Sequence, residues 1–335
     1  MPRDERGYYQ IASAEALKWF AQMIEQGHTD ICGVLTDDID FTHYPTTMIG
    51  ESKTFEGIFD GGGHTITIAL VRSADYAGLF CHLSGTVQDL IVRGTITTSR
   101  KFAGLVSDVR GGTLLRCQSY ININATIDGD GTHGGLAGLA SDGPSIPTIQ
   151  DCIFAGSING ANVNLCGGLV GWASSTCLIS NNLMMGKMNI SSEGGDIICR
   201  NNSRAIILDT YYYTDWDISV PTDAISTDEY EMTSGDLCLM LNAGRSEERQ
   251  AWFQTLNEDN YPVPDNRHLP VWYYDGSYIN EDPDGIQIVK NQETKTTNQI
   301  YDLSGRRILG TPDRGIYIVN GRKIAFGNDK YKVRR

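Results

Sequence analysis

Across 335 residues no run of 18 apolar residues occurs, so no segment reads as a membrane-spanning helix. The opening Met1-Pro2-Arg3-Asp4-Glu5-Arg6 has no apolar h-region; a secreted form is expected to have its signal peptide outside this sequence. No two cysteines form a C-x-x-C pair, which argues against a zinc ribbon or a thioredoxin-like motif. The six histidines are scattered, with neither H-E-x-x-H nor G-x-S-x-G to set up a zinc protease or a nucleophile elbow. Positive charge is short as well. The 27 Lys and Arg against 41 Asp and Glu leave −14, which disfavours nucleic acid and anionic membrane as partners. No cofactor and no metal is implied.

Glycine, by contrast, is plentiful at 37 copies, and it returns in a short phrase. The phrase reads Ala77-Gly78-Leu79-Phe80, Ala103-Gly104-Leu105-Val106, Gly134-Gly135-Leu136-Ala137 and Gly167-Gly168-Leu169-Val170. Counted on the glycine before each leucine, the steps are 26, 31 and 33 residues. A period in this range means stacked structural units. Each phrase is followed by a β-rich stretch, and the stretches align in columns. Val87, Leu114, Ile149 and Ile179 share one; Leu90, Cys117, Cys152 and Asn182 a second; Val92, Ser119, Phe154 and Met184 a third; Ile96, Ile123, Ile158 and Met188 a fourth. Arg93, Tyr120, Ala155 and Met185 alternate with these at the period of two that half-buried strands require. One unit alone cannot bury its apolar face. Coils stacked at about 4.8 Å can, and each large aliphatic side chain so buried is worth about 1.5–3 kcal/mol. The glycines fit where the chain turns with positive φ or where backbones approach closely. The expected fold is all-β, a right-handed parallel β-helix; units near 30 residues are too short for the four-stranded blades of a propeller.

These phrases resemble the GLUG-type repeats of bacterial surface and secreted proteins. The upstream segments Leu35-Thr36-Asp37-Asp38-Ile39-Asp40 and Phe55 to Ile66 look like the entry coil that precedes such repeats. The resemblance spans residues 8 to 190 and implies a secreted or surface-displayed solenoid. Beyond Ile300, nine Lys and Arg stand against three Asp and Glu, a net +6 that leaves −20 for the rest. There Gly315 to Phe326 reads as a hairpin around Asn320-Gly321, because Asn-Gly supplies the positive φ of a tight turn. This tail resembles the C-terminal sorting module of exported Gram-negative proteins, which implies an extracellular or outer-surface destination.

The remaining segments complete the expected organisation. Residues 1–30 hold a capping helix at 12–26, with Ser13 as N-cap, Gly27 as stop, and Leu17, Phe20, Ala21 and Ile24 on one face. Residues 31–220 form the repeat solenoid. Residues 221–285, helical around Leu237 to Leu241 and including Trp252 to Leu256, are expected to cap its far end. Residues 286–335 comprise a short Ile286–Val289 strand, a linker and the sorting-like module.

Chemistry is harder to find. Gly129-Asp130-Gly131-Thr132-His133-Gly134 spells G-x-G-x-x-G, yet it enters a strand rather than a helix and reads as an inter-coil loop. A calcium loop starts at Asp128 and Asp130 but is not completed. The column Asp89, Arg116, Asp151, Asn181 is the best candidate for the converging carboxylates of a polysaccharide lyase or hydrolase; it reads more simply as opposite charges pairing across strands. Trp172, Tyr211, Tyr213 and Trp216 are candidate glycan-stacking residues, or aromatics closing the solenoid's end. The eight cysteines are expected as buried free thiols, two of them in an inward column. Together these features point to a non-catalytic, adhesin-like solenoid binding glycan or surface protein. A carbohydrate-active enzyme and a structural spacer are the alternatives, and a groove with several converging carboxylates would favour the enzyme.

Overall fold

The apolar columns meet as expected, because residues in the same column sit on neighbouring strands. The computed structural model describes residues 1–218 and 223–281, except the side chain of residue 202, and the strand backbones at 300–301, 307–308, 315–319 and 322–326. Its body is a parallel β-solenoid of about seven turns. In the first sheet Phe59 pairs with Val87, Val87 with Leu114, Leu114 with Ile149, Ile149 with Ile179, and Ile179 with Ile207. The second sheet stacks Thr65–Arg72, Ile91–Thr98 and Gln118–Ala125 in full register, with Val92, Ser119, Phe154 and Met184 in line. The glycine phrases lead into the third, where Phe80, Val106, Ala137 and Val170 align. All strand pairs of these three sheets are parallel, and the inward columns form one continuous core.

The phrase glycines are there for close approach. A Cβ on Gly168 would lie 2.0 Å from the Ile197 carbonyl oxygen of the next coil, and one on Gly135 would lie 2.1 Å from the Phe154 ring. Neither glycine has positive φ; that conformation falls on Tyr76, Phe102, Thr132 and Leu165, two or three residues upstream. The second column does more than fill space. The Cys117 N–H donates to Cys152 Sγ (3.3 Å), the Cys152 N–H to Asn182 Oδ1 (2.8 Å), and Asn182 Nδ2 to the Ile149 carbonyl (2.9 Å). A ladder of side chains thus satisfies corner amides that the strands leave free. All eight cysteines are free thiols, and only Cys32 is not fully buried.

Helix α1, Ala14–Glu25, starts where Ser13 accepts a hydrogen bond from the Ala16 N–H, and buries Leu17, Phe20, Ala21 and Ile24. Phe20 meets Phe55 and Phe59 edge-on at 5.8 and 5.7 Å, so the helix covers the first coils. At the far end Trp216, only 8% exposed, packs over Gly195 against the last coil.

Residues beyond Ile225 do not cap that end, contrary to the sequence expectation. Ile91, Gln118, Ile153, Leu183 and Tyr211 occupy one outward column of the second sheet, yet all are buried. The covering segment contains α2 (Glu229–Ser234), α3 (Asp236–Leu241) and the stretch to Pro270, with Leu237, Leu241, Trp252 and Val263 buried outside the solenoid core. It is a strap running back along the flank. Hydrogen bonds from Arg245 and Trp252 to Asp151 tie it down, as does a Tyr261–Tyr120 contact, and Arg267 lies over Gly63. An apolar column outside the core needs such a cover; burying Ile153 and Leu183 is worth about 1.5–3 kcal/mol each.

The second unit begins at Val271, earlier than residue 286. It contains a Trp272–Tyr274/Ser277–Ile279 hairpin and an antiparallel sheet in which Val319 pairs with Arg322, Gly315 with Phe326 and Ile300 with Val319. The Asn320-Gly321 turn and the Ile286–Val289 strand lie outside the described residues.

Candidate functional site

Where each coil passes from the first sheet to the second, one residue takes left-handed backbone: Asp89 (φ 51°), Arg116 (50°), Asp151 (55°) and Asn181 (53°). Asp and Asn visit this region more readily than other L residues. The candidate column therefore stands on corners just beyond the strands, with its side chains outward, and not on cross-strand positions as expected. One opposite-charge pair does form inside it. Arg116 donates from Nε and Nη2 to the two Asp89 oxygens at 2.6 and 2.7 Å, a bidentate pair. Asp151, 2% exposed, instead accepts from Arg245 Nη2 (2.6 Å) and Trp252 Nε1 (3.2 Å) of the strap. The Asn181 N–H donates to the Leu208 carbonyl two strands from the pair, and Asn181 takes no part in the groove described next.

Corner and strap enclose a groove of about 930 Å³. Its floor is a set of axial columns. Asp60, Leu115 and Gln150 come from the first-sheet edge, Asp89, Arg116 and Asp151 from the corner, and Gln118 from the second sheet. Its outer wall is strap: Arg245, Glu247 to Ala251, Phe253, and Pro264 to Arg267. The Asn242 side chain shapes that wall by closing the 243–250 loop. Its Nδ2 donates to the Trp252 carbonyl (2.7 Å), and its Oδ1 accepts from the Ala251 and Trp252 amides (3.0 and 3.1 Å).

Six carboxylates and four guanidinium groups line the groove. Four of the carboxylates are held in ion pairs: Asp60 with Arg6 (2.9 Å), Asp89 with Arg116, Asp151 with Arg245, and Asp265 with Arg267 (2.6 Å). Burial works against ionising Asp265, but the Arg267 hydrogen bonds outweigh it and hold the carboxyl below its usual range. The Asp89 hydrogen bonds in turn raise the Arg116 guanidinium. A general acid needs a carboxyl held protonated near neutral pH, and at Asp265 the pairing acts in the opposite direction. Amides complete the surface: Gln150 Nε2 donates to Asp151 Oδ2 (3.1 Å), and Gln118 Oε1 accepts from the Tyr120 hydroxyl (2.9 Å).

The four aromatic candidates lie elsewhere and do not form a strip. Trp172 is on the third sheet with the Arg200 guanidinium 4.3 Å over its ring, and Arg200 is held by Asp130 (3.0 Å). Tyr211 is 6% exposed under the strap, Tyr213 is 44% exposed beside it in sequence, and Trp216 plugs the end of the core. Asp130 also takes Lys101 (2.5 Å) and Thr132 (2.5 Å), so the glycine-rich loop is a polar strut between coils, as an inter-coil loop should be. A further polar cluster sits on the third sheet. Asp108, 2% exposed, accepts from Ser141 Oγ and Arg110 Nε (both 2.6 Å), with His82 Nδ1 at 3.5 Å. The aspartate is the hub here: the serine hydroxyl donates to the carboxylate, whereas a catalytic triad has it donate to the histidine.

Sequence reasoning found Asp89, Arg116 and Asp151 but missed the strap residues opposite them. Nothing local marks Arg245 or Arg267 as neighbours of corners about a hundred or more residues upstream. No known protein family matches this chain, and no curated protein matches it. A solved structure described as a "putative immunoglobulin A1 protease from Bacteroides ovatus" shares 16% identity, covering 78% of this chain and 93% of its own, with a TM-score of 0.51. At that identity the likeness concerns the fold alone.

Proposed function

We propose that this protein is a secreted or outer-surface, adhesin-like β-solenoid that binds glycan in the corner groove without catalysing its cleavage. The observation that carries the reading is the groove's lining of rigid, paired Asp and Arg side chains with Gln118 and Gln150 beside them. Sugar hydroxyls donate and accept at once, and such pairs offer fixed donors next to fixed acceptors. Phe253 adds one apolar ring to the wall. The GLUG-like phrases and the sorting-like tail support display outside the cell, where a glycan or a glycosylated surface protein would be met.

A carbohydrate-active enzyme is the second reading, favoured by the convergence of Asp60, Asp89, Asp151 and Asp265 on one groove. Ion pairing of all four weighs against it. A glycan-array screen run beside a reducing-sugar release assay separates the two. Binding that is lost in Arg116→Asn, with no sugar released, is the expected result. Release of product by the wild-type protein would refute the non-catalytic reading, and silence in both assays would leave a spacer.

A further inference from the structure

We infer that the corner groove takes an uncharged oligosaccharide lying along the solenoid axis. This rests on the glycan-binding reading above and specifies the ligand class.

The direction follows from register. Asp60, Gln88, Leu115 and Gln150 pair strand to strand, and Asp89, Arg116 and Asp151 follow the last three of them one residue later. Three strand spacings at about 4.8 Å give a floor about 14 Å long, parallel to the axis. The cavity volume, near the top of the range for small-molecule sites, suits a short chain of sugars better than a single ring.

The charge follows from how the guanidinium groups are spent. Arg116 engages Asp89 through Nε and Nη2, and Arg267 engages Asp265 through the same two atoms, which leaves each Nη1 with its donors uncommitted to that partner. Those donors are fixed in place while the positive charge is neutralised within the pair. A hydroxyl can take a hydrogen bond from Nη1 and give one to the adjoining carboxylate. A sugar carboxylate or sulfate cannot give one, and it meets a lining with two more carboxylates than guanidinium groups. Arg245 is committed to Asp151, and Arg249, the fourth lining arginine, directly follows Glu247 and Glu248 in the exposed turn.

The test is calorimetric titration of the full chain with neutral cello-, xylo- and mannohexaose, with hexagalacturonate, and with a heparin-derived hexasaccharide, all at one ionic strength. At least one neutral probe should bind, and both acidic probes should bind at least tenfold more weakly. Asp89→Asn keeps a residue suited to left-handed backbone and releases the Arg116 charge. It should weaken the neutral probe at least fivefold and strengthen hexagalacturonate at least fivefold, with a melting curve confirming that the variant is folded. Arg116→Asn, also suited to the corner, should lose the neutral probe without gaining the acidic one. Acidic probes binding the wild type as tightly as neutral ones, or Asp89→Asn leaving the preference unchanged, would overturn the inference and leave glycan binding standing. No binding by any probe to folded protein would remove both.

Discussion

Replacing Asp151 with alanine should undock the strap from the solenoid. Asp151 is 2% exposed and is the shared acceptor for Arg245 and the Trp252 indole. Removing one member of a buried ion pair costs about 3–5 kcal/mol, because the other charge stays behind without compensation; the Arg245 side chain is only 16% exposed. Alanine at φ 55° adds about 1–2 kcal/mol of backbone strain. These costs are not additive, since Arg245 can swing to water once the strap loosens, so a total near 4 kcal/mol is expected. At roughly 2–4 °C per kcal/mol for a unit of this size, melting should fall by about 8–16 °C. Hydrogen exchange should speed up over residues 243–267 before the inner strands respond. Asp151→Asn keeps the corner conformation and an oxygen for the indole N–H, so it should cost about half as much. If Asp151→Ala melts within 2 °C of the parent and strap protection is unchanged, Asp151 is not the anchor.

Thiol labelling in native buffer should modify Cys32 alone, and all eight cysteines in denaturant. Burial pushes Cys81, Cys166, Cys177 and Cys238 up to about 12, and rapid native labelling of any of these would contradict their placement. His133 is buried with Nδ1 accepting from the Ala103 N–H (3.1 Å), and desolvation, only partly offset by Asp130, lowers it to about 4. The unfolded chain, titrating near 6.5, then binds this proton first. Stability should be intact above pH 6.5 and fall by on the order of 3 kcal/mol as pH drops toward 4. His133→Asn, which retains an acceptor for Ala103, should show a shallower acid slope in denaturant titrations; an identical slope would exclude the histidine. Gly168→Ala places a methyl 2.0 Å from the Ile197 carbonyl and should cost about 1–3 kcal/mol or block folding, read by melting and soluble yield. Unchanged melting would mean that the coils can separate there.

The inner architecture was legible because a parallel solenoid puts equivalent residues in contact, so columns aligned in sequence are columns in space. Val87, Leu114, Ile149 and Ile179 needed nothing else to be placed. The glycine phrases were legible as a period, though not in cause: Gly168 admits a neighbouring backbone, while the turning falls to Leu165. The strap is present in the sequence as apolar content without a destination, and its place on the flank is not legible in its own residues. One signal did point to its place. Ile91-Val92, Ile153-Phe154 and Leu183-Met184 are adjacent apolar pairs that break the alternation of a half-exposed strand, as strands covered on both faces do. The groove depends on that strap, so only its floor could be read. The surroundings of Trp172 were illegible for a related reason, since nothing near it in sequence shows that Arg200 lies over its ring.

A chain of coils that touch only their neighbours tends to melt piecemeal, each rung lost nearly independently of those further along. The strap alters that arithmetic. By gripping the corner at Asp151 and reaching back to Gly63, it links windings that otherwise share no contact. Fraying at one of them must then loosen the brace shared by the others. The stretch beneath the strap, from the entry coil to the Tyr211 strand, should accordingly unfold as one cooperative block.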